Sequence, residues 1–554
     1  MAEEANNNFG MAAASGPAET LSNPIDAPVA ATPAHAPHGV AASDESKLNP
    51  EPVATASQVK MPDMVAGNDT YRQEPTATPE RFSSLPFTLA RAKDGKPFAL
   101  FNYPLSNAVA MLIGGDQFEG YFVNLMYDQN GQVNLPQIRE AIQQMSIFAT
   151  HRGPIIDVWH RCAKIEDGCE IALSDEHDTR IRVTANGVKV IDQGSPTVFQ
   201  KRPIALPLPR PSDTPNWERL KRYINLPEVQ FYLLLAWLTY TLCSPKTKGT
   251  KYVFLVIQGD QGTGKSLLCR LIQSLIDPSA LELQAFPANS RDLPVILNGS
   301  HLTLFDNVRS FNASMSDLLC TASTGGNISG RALYTNDGLF IQSLHGGIVF
   351  NGIHGFVVQS DLAQRCLTLR TKSIDGSARV NEAELLKDFE HDLPDIFAGL
   401  LDLASKIMVM LPDAIVSFPE RMLEFCQWVA AMELAIGFPE GTVQAVYTHI
   451  LNETQLDTLL DNSLASAVIK FVSDQPTNKW IGTPALLLEQ LQDNQPSRGL
   501  YAKDWPQNPI QLSKRLNALK ASLETQGIYV EISRGKLRRI EITNVSGLNI
   551  SEDF

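Results

Sequence analysis

Residues 251–258, KYVFLVIQ, form an apolar run of the length and composition of a fully buried strand. The run leads directly into Gly259-Asp260-Gln261-Gly262-Thr263-Gly264-Lys265-Ser266 and then SLLCRLIQSLI, whose apolar residues recur at helical spacing. A strand, a glycine-rich turn closed by Lys-Ser, and a helix make up the context in which GxxxxGK[ST] binds phosphate. The glycines let successive backbone N–H groups turn inward around phosphate oxygens, and the helix N-terminus adds the positive end of its dipole. The spacing predicts nucleotide bound by residues 259–266, with Lys265 bridging the β- and γ-phosphates and the Ser266 hydroxyl on Mg²⁺. ATP and Mg²⁺ are the expected ligands. The bland alternative is a glycine-rich turn that only resembles the motif.

Such a loop requires a second strand ending in an acid. His301-Leu-Thr-Leu-Phe-Asp306-Asn307 supplies four strand-favouring residues and then a carboxylate placed to hold Mg²⁺ through water. Many related sites follow this acid with Glu, the base that polarises the attacking water, but Asn307 stands there. Either Asp306 serves both roles, or another acid such as Asp292 contributes, or hydrolysis is slow; Asp292 reads equally as a helix start. A third strand, Gly347-Ile-Val-Phe-Asn351, ends in an amide suited to sensing the γ-phosphate or to capping a loop. In Asp361-Leu-Ala-Gln-Arg365-Cys-Leu-Thr-Leu-Arg370, Arg365 is the choice for a guanidinium donated across a subunit boundary, with Arg370 in reserve. A surface salt bridge is the other reading of Arg365.

Around this centre the 554 residues divide by composition, since a single core rarely exceeds about 250–300 residues. Residues 1–80, rich in Ala, Pro, Asn and Glu, hold too little apolar surface to offset chain entropy and read as disordered. Residues 82–202 alternate short apolar runs with turn signals and read as a small strand-rich α+β domain with a helix near 135–147. Within it Asp175, Glu176 and Asp178 read either as a two-metal site or, in the plainer view, as a solvated hairpin turn. Residues 203–215 are a Pro-rich linker, 216–372 an α/β core, 380–460 a helical region, and 462–545 helices followed by two short strands.

The net charge of −14 excludes a uniformly basic nucleic-acid binder, although about half of the negative excess lies before residue 80. The longest apolar run, Phe231 to Cys243, is shorter than the roughly 20 residues that span a bilayer and reads as a buried helix. The acidic start MAEEANNNF is unlike a signal peptide, and seven scattered cysteines fit reduced thiols, so a cytoplasmic protein without membrane contact is expected.

Taken with the phosphate loop, Asp306, Asn351 and Arg365, the segment Thr324-Gly-Gly-Asn-Ile-Ser-Gly-Arg331-Ala-Leu-Tyr334-Thr-Asn-Asp-Gly338-Leu-Phe340 resembles the superfamily 3 helicases. The likeness is to the helicase half of primase-helicases of poxviruses, phages and phage satellites, and covers 216–372. It implies an AAA+-like module assembling into a homo-oligomeric ring, taken as a hexamer, with ATP between neighbouring subunits. ALYTNDGLFIQS reads independently as a β-hairpin turning at Asn336-Asp337-Gly338. In the resembled helicases a hairpin here grips single-stranded DNA with Lys or His near its tip. This tip has no cation, which leaves Arg331 or His345 as substitutes, or a solvated hairpin.

Residues 462–545 read as a winged helix, similar to C-terminal modules of phage-type primase-helicases. Between Gln511 and Ile540 seven bases (Lys514, Arg515, Lys520, Arg534, Lys536, Arg538, Arg539) face two acids, a local reversal in an acidic chain. Duplex DNA at Lys514, Arg515, Arg534 and Lys536 is the expected ligand, and a protein partner is the rival. The whole predicts a multidomain α/β ATPase, a helicase or replication initiator of a mobile element, phage or satellite. A DNA-binding initiator using ATP as an assembly switch, and a signalling or defence NTPase, are the alternatives.

Overall fold

In the computed structural model the chain separates into Met1–Arg72 and Gln73–Phe554. The structure describes residues 82, 84–104, 106–331, 339–353, 355–357, 359–374, 380–492, 505–533 and 538–545. The disorder expected for 1–80 lies outside these residues.

The first layer is a mixed sheet ordered β4-β1-β2-β3-β10-β5. It contains β1 (Thr88–Ala92), β2 (Pro97–Phe101), β3 (Val109–Leu112), β4 (Ile155–Ile156), β5 (Val158–Trp159) and β10 (Val198–Gln200). Two helices, α1 (Asp116–Asn130) and α2 (Leu135–Arg152), share a core with it through Phe87, Leu89, Met111, Phe118, Phe122, Ile138, Ile142 and Met145. The expected helix is α2, capped by Asn134, whose side chain accepts the Gln137 N–H. The sequence reading missed α1, because the turn signal at Asn130-Gly131 is the left-handed C-cap of this helix.

A separate antiparallel meander holds β6 (Cys162–Ile165), β7 (Gly168–Ala172), β8 (Arg180–Thr184) and β9 (Gly187–Ile191). Its Cys162, Cys169, Ile171, Ile181 and Val183 belong to the large central core, not to the core of the first sheet. Residues 82–202 thus feed the central core as well as smaller cores of their own. Asp175, Glu176 and Asp178 lie in the β7–β8 turn, where the Asp175 carboxylate accepts the Thr179 N–H at 2.7 Å. The Pro-rich stretch is extended but docked: Leu206 N–H bonds Pro278 O, Leu208 N–H bonds Leu173 O, and Ser212 N–H bonds Pro394 O.

The centre is a five-stranded parallel sheet ordered β12-β13-β16-β11-β17. Its strands are β11 (Phe254–Gln258), β12 (Gln284–Ala285), β13 (Leu302–Asp306), β16 (Gly347–Gly352) and β17 (Cys366–Arg370). Residues 254–257 of β11 are all buried, as a central parallel strand covered on both faces requires. The helix α3 (Glu228–Leu242), which contains most of the long apolar run, is buried at every position from Leu233 to Leu242. Beyond β11 comes α4 (Lys265–Ile276), which buries Leu268, Cys269, Leu271, Ile272 and Leu275. Next are α5 (Asp292–Gly299), α6 (Ala313–Thr324), the antiparallel pair β14 (Gly326–Arg331) and β15 (Leu339–Leu344), and α7 (Ser360–Ala363). The pair β14–β15 begins earlier than the expected hairpin, whose tip at 332–338 lies outside the described residues.

Three further helices, α8 (Glu382–Met410), α9 (Leu423–Ile436) and α10 (Thr442–Leu460), complete the central core with α3. The C-terminal region has its own core of Trp480, Leu487, Trp505, Leu512, Leu516, Val530, Ile540 and Ile542. It comprises α11 (Ser463–Ser473), β18 (Lys479–Gly482), α12 (Pro484–Gln490), α13 (Pro509–Thr525), β19 (Ile528–Ser533) and β20 (Arg539–Asn544). Three strands, not two, form its antiparallel sheet, ordered β18-β20-β19. The extra strand precedes Thr483, the N-cap of α12, and Pro484 disfavours helix in the residues before it. Among the described residues no helix is long and apolar enough to cross a membrane.

Candidate functional site

Ligands of open parallel sheets gather beyond the carboxyl ends of the strands. Here that edge opens into a cleft of about 1110 Å³ that Gln261 through Leu268, Asp306, Asn307, Asn351 and Thr371 help to line. Its floor is the loop between β11 and α4. Gly259, Gly262 and Gly264 adopt positive φ values of 150°, 82° and 83°, which side chains other than glycine rarely tolerate. At Gly259 space is also decisive, because an added Cβ would collide with the Thr371 hydroxyl.

The loop is tied on both flanks. Thr263 Oγ1 lies 2.7 Å from Thr371 Oγ1 and donates to the Asp260 carbonyl at 2.9 Å. Asn225 Nδ2 donates to the carbonyls of Thr263 and Lys372, at 3.2 and 2.6 Å. The Lys265 ammonium donates to Gly259 O at 2.8 Å and Asp260 O at 2.6 Å. Partial burial lowers the Lys265 pKa, against the opposing pull of Asp260 and Asp306.

Ser266 Oγ lies 3.4 Å from Asp306 Oδ1, so a hydroxyl at the start of α4 and a carboxylate at the end of β13 converge. Two hard oxygen donors, with room beside them for phosphate and water, suit Mg²⁺, which keeps several waters and takes few protein ligands. This donor pair fits the expected ion. Asp260 and Gln261 belong to the same loop, and Asp260 contributes its carbonyl to Lys265.

Asn351 is 2% exposed, and its Oδ1 accepts the backbone N–H of Asn307 at 2.9 Å. Its Nδ2 points to Cys269 Sγ at 3.5 Å. Asn307 sits at φ 54°, in the left-handed region that Asn tolerates better than Glu does. The departure from an Asp-Glu pair therefore has a conformational cause: position 307 is a turn. Asp292 lies in the first turn of α5 and does not line the cleft.

Arg365 is not brought to this cleft. It precedes β17, five residues from Arg370, or about 16 Å at ~3.3 Å per residue, at the opposite edge of the sheet. It is 8% exposed, with its guanidinium 3.3 Å from Asp361, which Arg421 also pairs. Arg370 pairs with Asp457 at 2.6 Å. His345 is buried, bonds Thr250 O through Nε2 at 3.0 Å, and is held by burial at a pKa of about 4, so it offers no cation to DNA.

Several further lining residues went unnoticed in the sequence. Tyr223, Ile224, Val380 and Leu385 also line the cleft and come from segments that carry no motif. Arg309, three residues past Asp306, also lines it, and its position was the only signal.

Of the expected DNA contacts, Lys514 is exposed on α13 and Arg515 is half-buried there. Arg534 and Lys536 lie outside the described residues, as does the side chain of Arg331.

Residues 218–457 match the family model described as Actinomycete integrative conjugative element replication protein, and residues 464–551 match that of the AICE RepA C-terminal domain. No curated protein matches. Among solved structures, the apo structure of the NrS-1 C terminal region (305-718) is 11% identical with a TM-score of 0.36, covering 83% of this chain and 96% of that one. The A form apo structure of NrS-1 C terminal region-CTR is 12% identical, with the same coverage and TM-score. Over its two matched regions the chain is similar to proteins of DNA replication.

Proposed function

We propose that this chain is an ATP-dependent replication helicase or translocase, with an AAA+-like core that works as a ring. The approach of Ser266 Oγ to Asp306 Oδ1 beside Lys265 carries the reading. Lys265 leaves its loop carbonyls to bridge the β- and γ-phosphates, and the loop N–H groups cradle them. Ser266 and Asp306 are the residues that would hold Mg²⁺, which when bound would supply charge neutralisation on the phosphates. Tyr223, Ile224, Val380 and Leu385 offer an apolar surface to the purine.

Asn351 fixes the turn that presents Asp306. Arg365 reaches a nucleotide only from a neighbouring protomer, which makes the hydrolytic site a property of the ring, taken as a hexamer. In this reading the pair β14–β15 meets single-stranded DNA in a central channel. The C-terminal order of helix, strand, two helices and two strands suits a winged helix that lays α13 and Lys514 on duplex DNA.

A second reading draws support from Asn307: without a carboxylate at the turn, slow hydrolysis would suit an initiator that uses ATP as an assembly switch. The likeness to replication proteins favours both over a signalling or defence role. ATP turnover measured alone, with single-stranded DNA and with duplex DNA, followed by unwinding of a forked duplex, separates them. Stimulation by single strands with unwinding supports the helicase. Stimulation by duplex without unwinding supports the switch, and indifference to DNA rejects both.

A further inference from the structure

Four cations line the cleft among the described residues, and three of them are engaged. Arg222 pairs with Asp392 at 3.1 Å, Arg270 pairs with Glu382 at 2.6 Å, and Lys265 is held by two carbonyls. Arg309 is exposed and has no hydrogen bond or ion pair among the described residues. An unpaired guanidinium in a cleft carries five donors and a fixed charge that a ligand can satisfy.

The backbone around Arg309 is not free. The left-handed turn at Asn307 is fixed by Asn351 Oδ1, and the Val308 N–H bonds Asn351 O at 2.9 Å. Val308 and Phe311 are both buried in a core shared with Phe305 and Phe350 of the sheet. Arg309 therefore leaves a backbone pinned on both sides, on the same turn that presents Asp306.

We propose that Arg309 binds the terminal phosphate of the nucleotide in its own protomer, distinguishing triphosphate from diphosphate. The proposal rests on the reading of the cleft as a nucleotide site. In hydrolysis the water oxygen forms a bond to the γ-phosphorus, and the bond from phosphorus to the β–γ bridging oxygen breaks. Its electron pair stays on the diphosphate, and the water proton passes to phosphate or solvent. Arg309 keeps its proton throughout and offsets charge on the γ-phosphoryl oxygens, a role that needs no carboxylate at 307.

The test measures ATP and ADP affinities, both with Mg²⁺, for the full chain, Arg309→Gln and Arg309→Lys, with turnover as a second readout. The expected result is a preference for ATP over ADP that falls about tenfold in Arg309→Gln, with ADP affinity kept, and partial recovery in Arg309→Lys. Turnover is expected to fall by about 100-fold in Arg309→Gln. An unchanged preference overturns the proposal. Equal loss of both nucleotides also overturns it, because that marks a structural role. If the unmodified chain binds neither nucleotide, the reading of the cleft falls first and takes the proposal with it.

Discussion

Asn351 Oδ1 accepts the backbone N–H of Asn307 at 2.9 Å, joining the ends of β16 and β13 and setting the turn beyond Asp306. Asn351→Ala would leave that N–H without its acceptor, at a cost of about 1–3 kcal/mol. Thermal and urea denaturation should show this loss, and Mg²⁺-dependent nucleotide affinity should weaken more than Mg²⁺-free affinity. Unchanged stability and affinity would remove Asn351 from the account.

Asp277, the C-cap of α4, ties the loop-bearing helix to the N-terminal layers. Its Oδ1 lies 2.8 Å from both Arg161 Nε and Arg202 Nη2, and all three side chains are buried. Burial alone would raise the Asp277 pKa, but Arg202 and Arg161 outweigh it and hold the carboxyl well below the usual range. Asp277→Asn leaves two buried guanidinium groups uncompensated and should cost about 3–5 kcal/mol in urea denaturation. A change under about 1 kcal/mol would mean that water satisfies these groups.

Burial lowers the pKa of both His301 and His345 to about 4. Lys246 adds to the depression at each, while Asp277 opposes it at His301. Between pH 6.5 and about 4 the unfolded chain binds protons that the folded chain refuses, so their stabilising contribution is full above pH 6.5 and falls as pH drops. Each pKa unit is worth roughly 1.4 kcal/mol. His345→Gln, whose amide can still donate to Thr250 O, should flatten the loss of Tm between pH 6.5 and 4.5. An identical pH slope in this variant would contradict the assignment of a neutral imidazole.

The phosphate loop was legible because its strand, glycines and helix lie within one short segment whose local chemistry dictates its shape. Asp306 was legible for the same reason, as a carboxylate closing an apolar strand. The turn at Asn307 was not, since its φ depends on an acceptor 44 residues further on. Tyr223 and Leu385 come to the same cleft only through tertiary packing. The meander β6–β9 alternates like any half-buried sheet, and no local pattern indicates that its partner is the central core. Helix α1 was hidden because its left-handed C-cap at Gly131 reads locally as a turn.

Nucleotide binding by Lys265→Ala, measured beside the unmodified chain with a fluorescent ATP analogue and Mg²⁺, tests the central claim most directly. The account predicts loss of at least about tenfold in affinity, with the melting temperature of the nucleotide-free protein unchanged, because Lys265 contacts only loop carbonyls at the surface of the core. Affinity equal to that of the unmodified chain would contradict it.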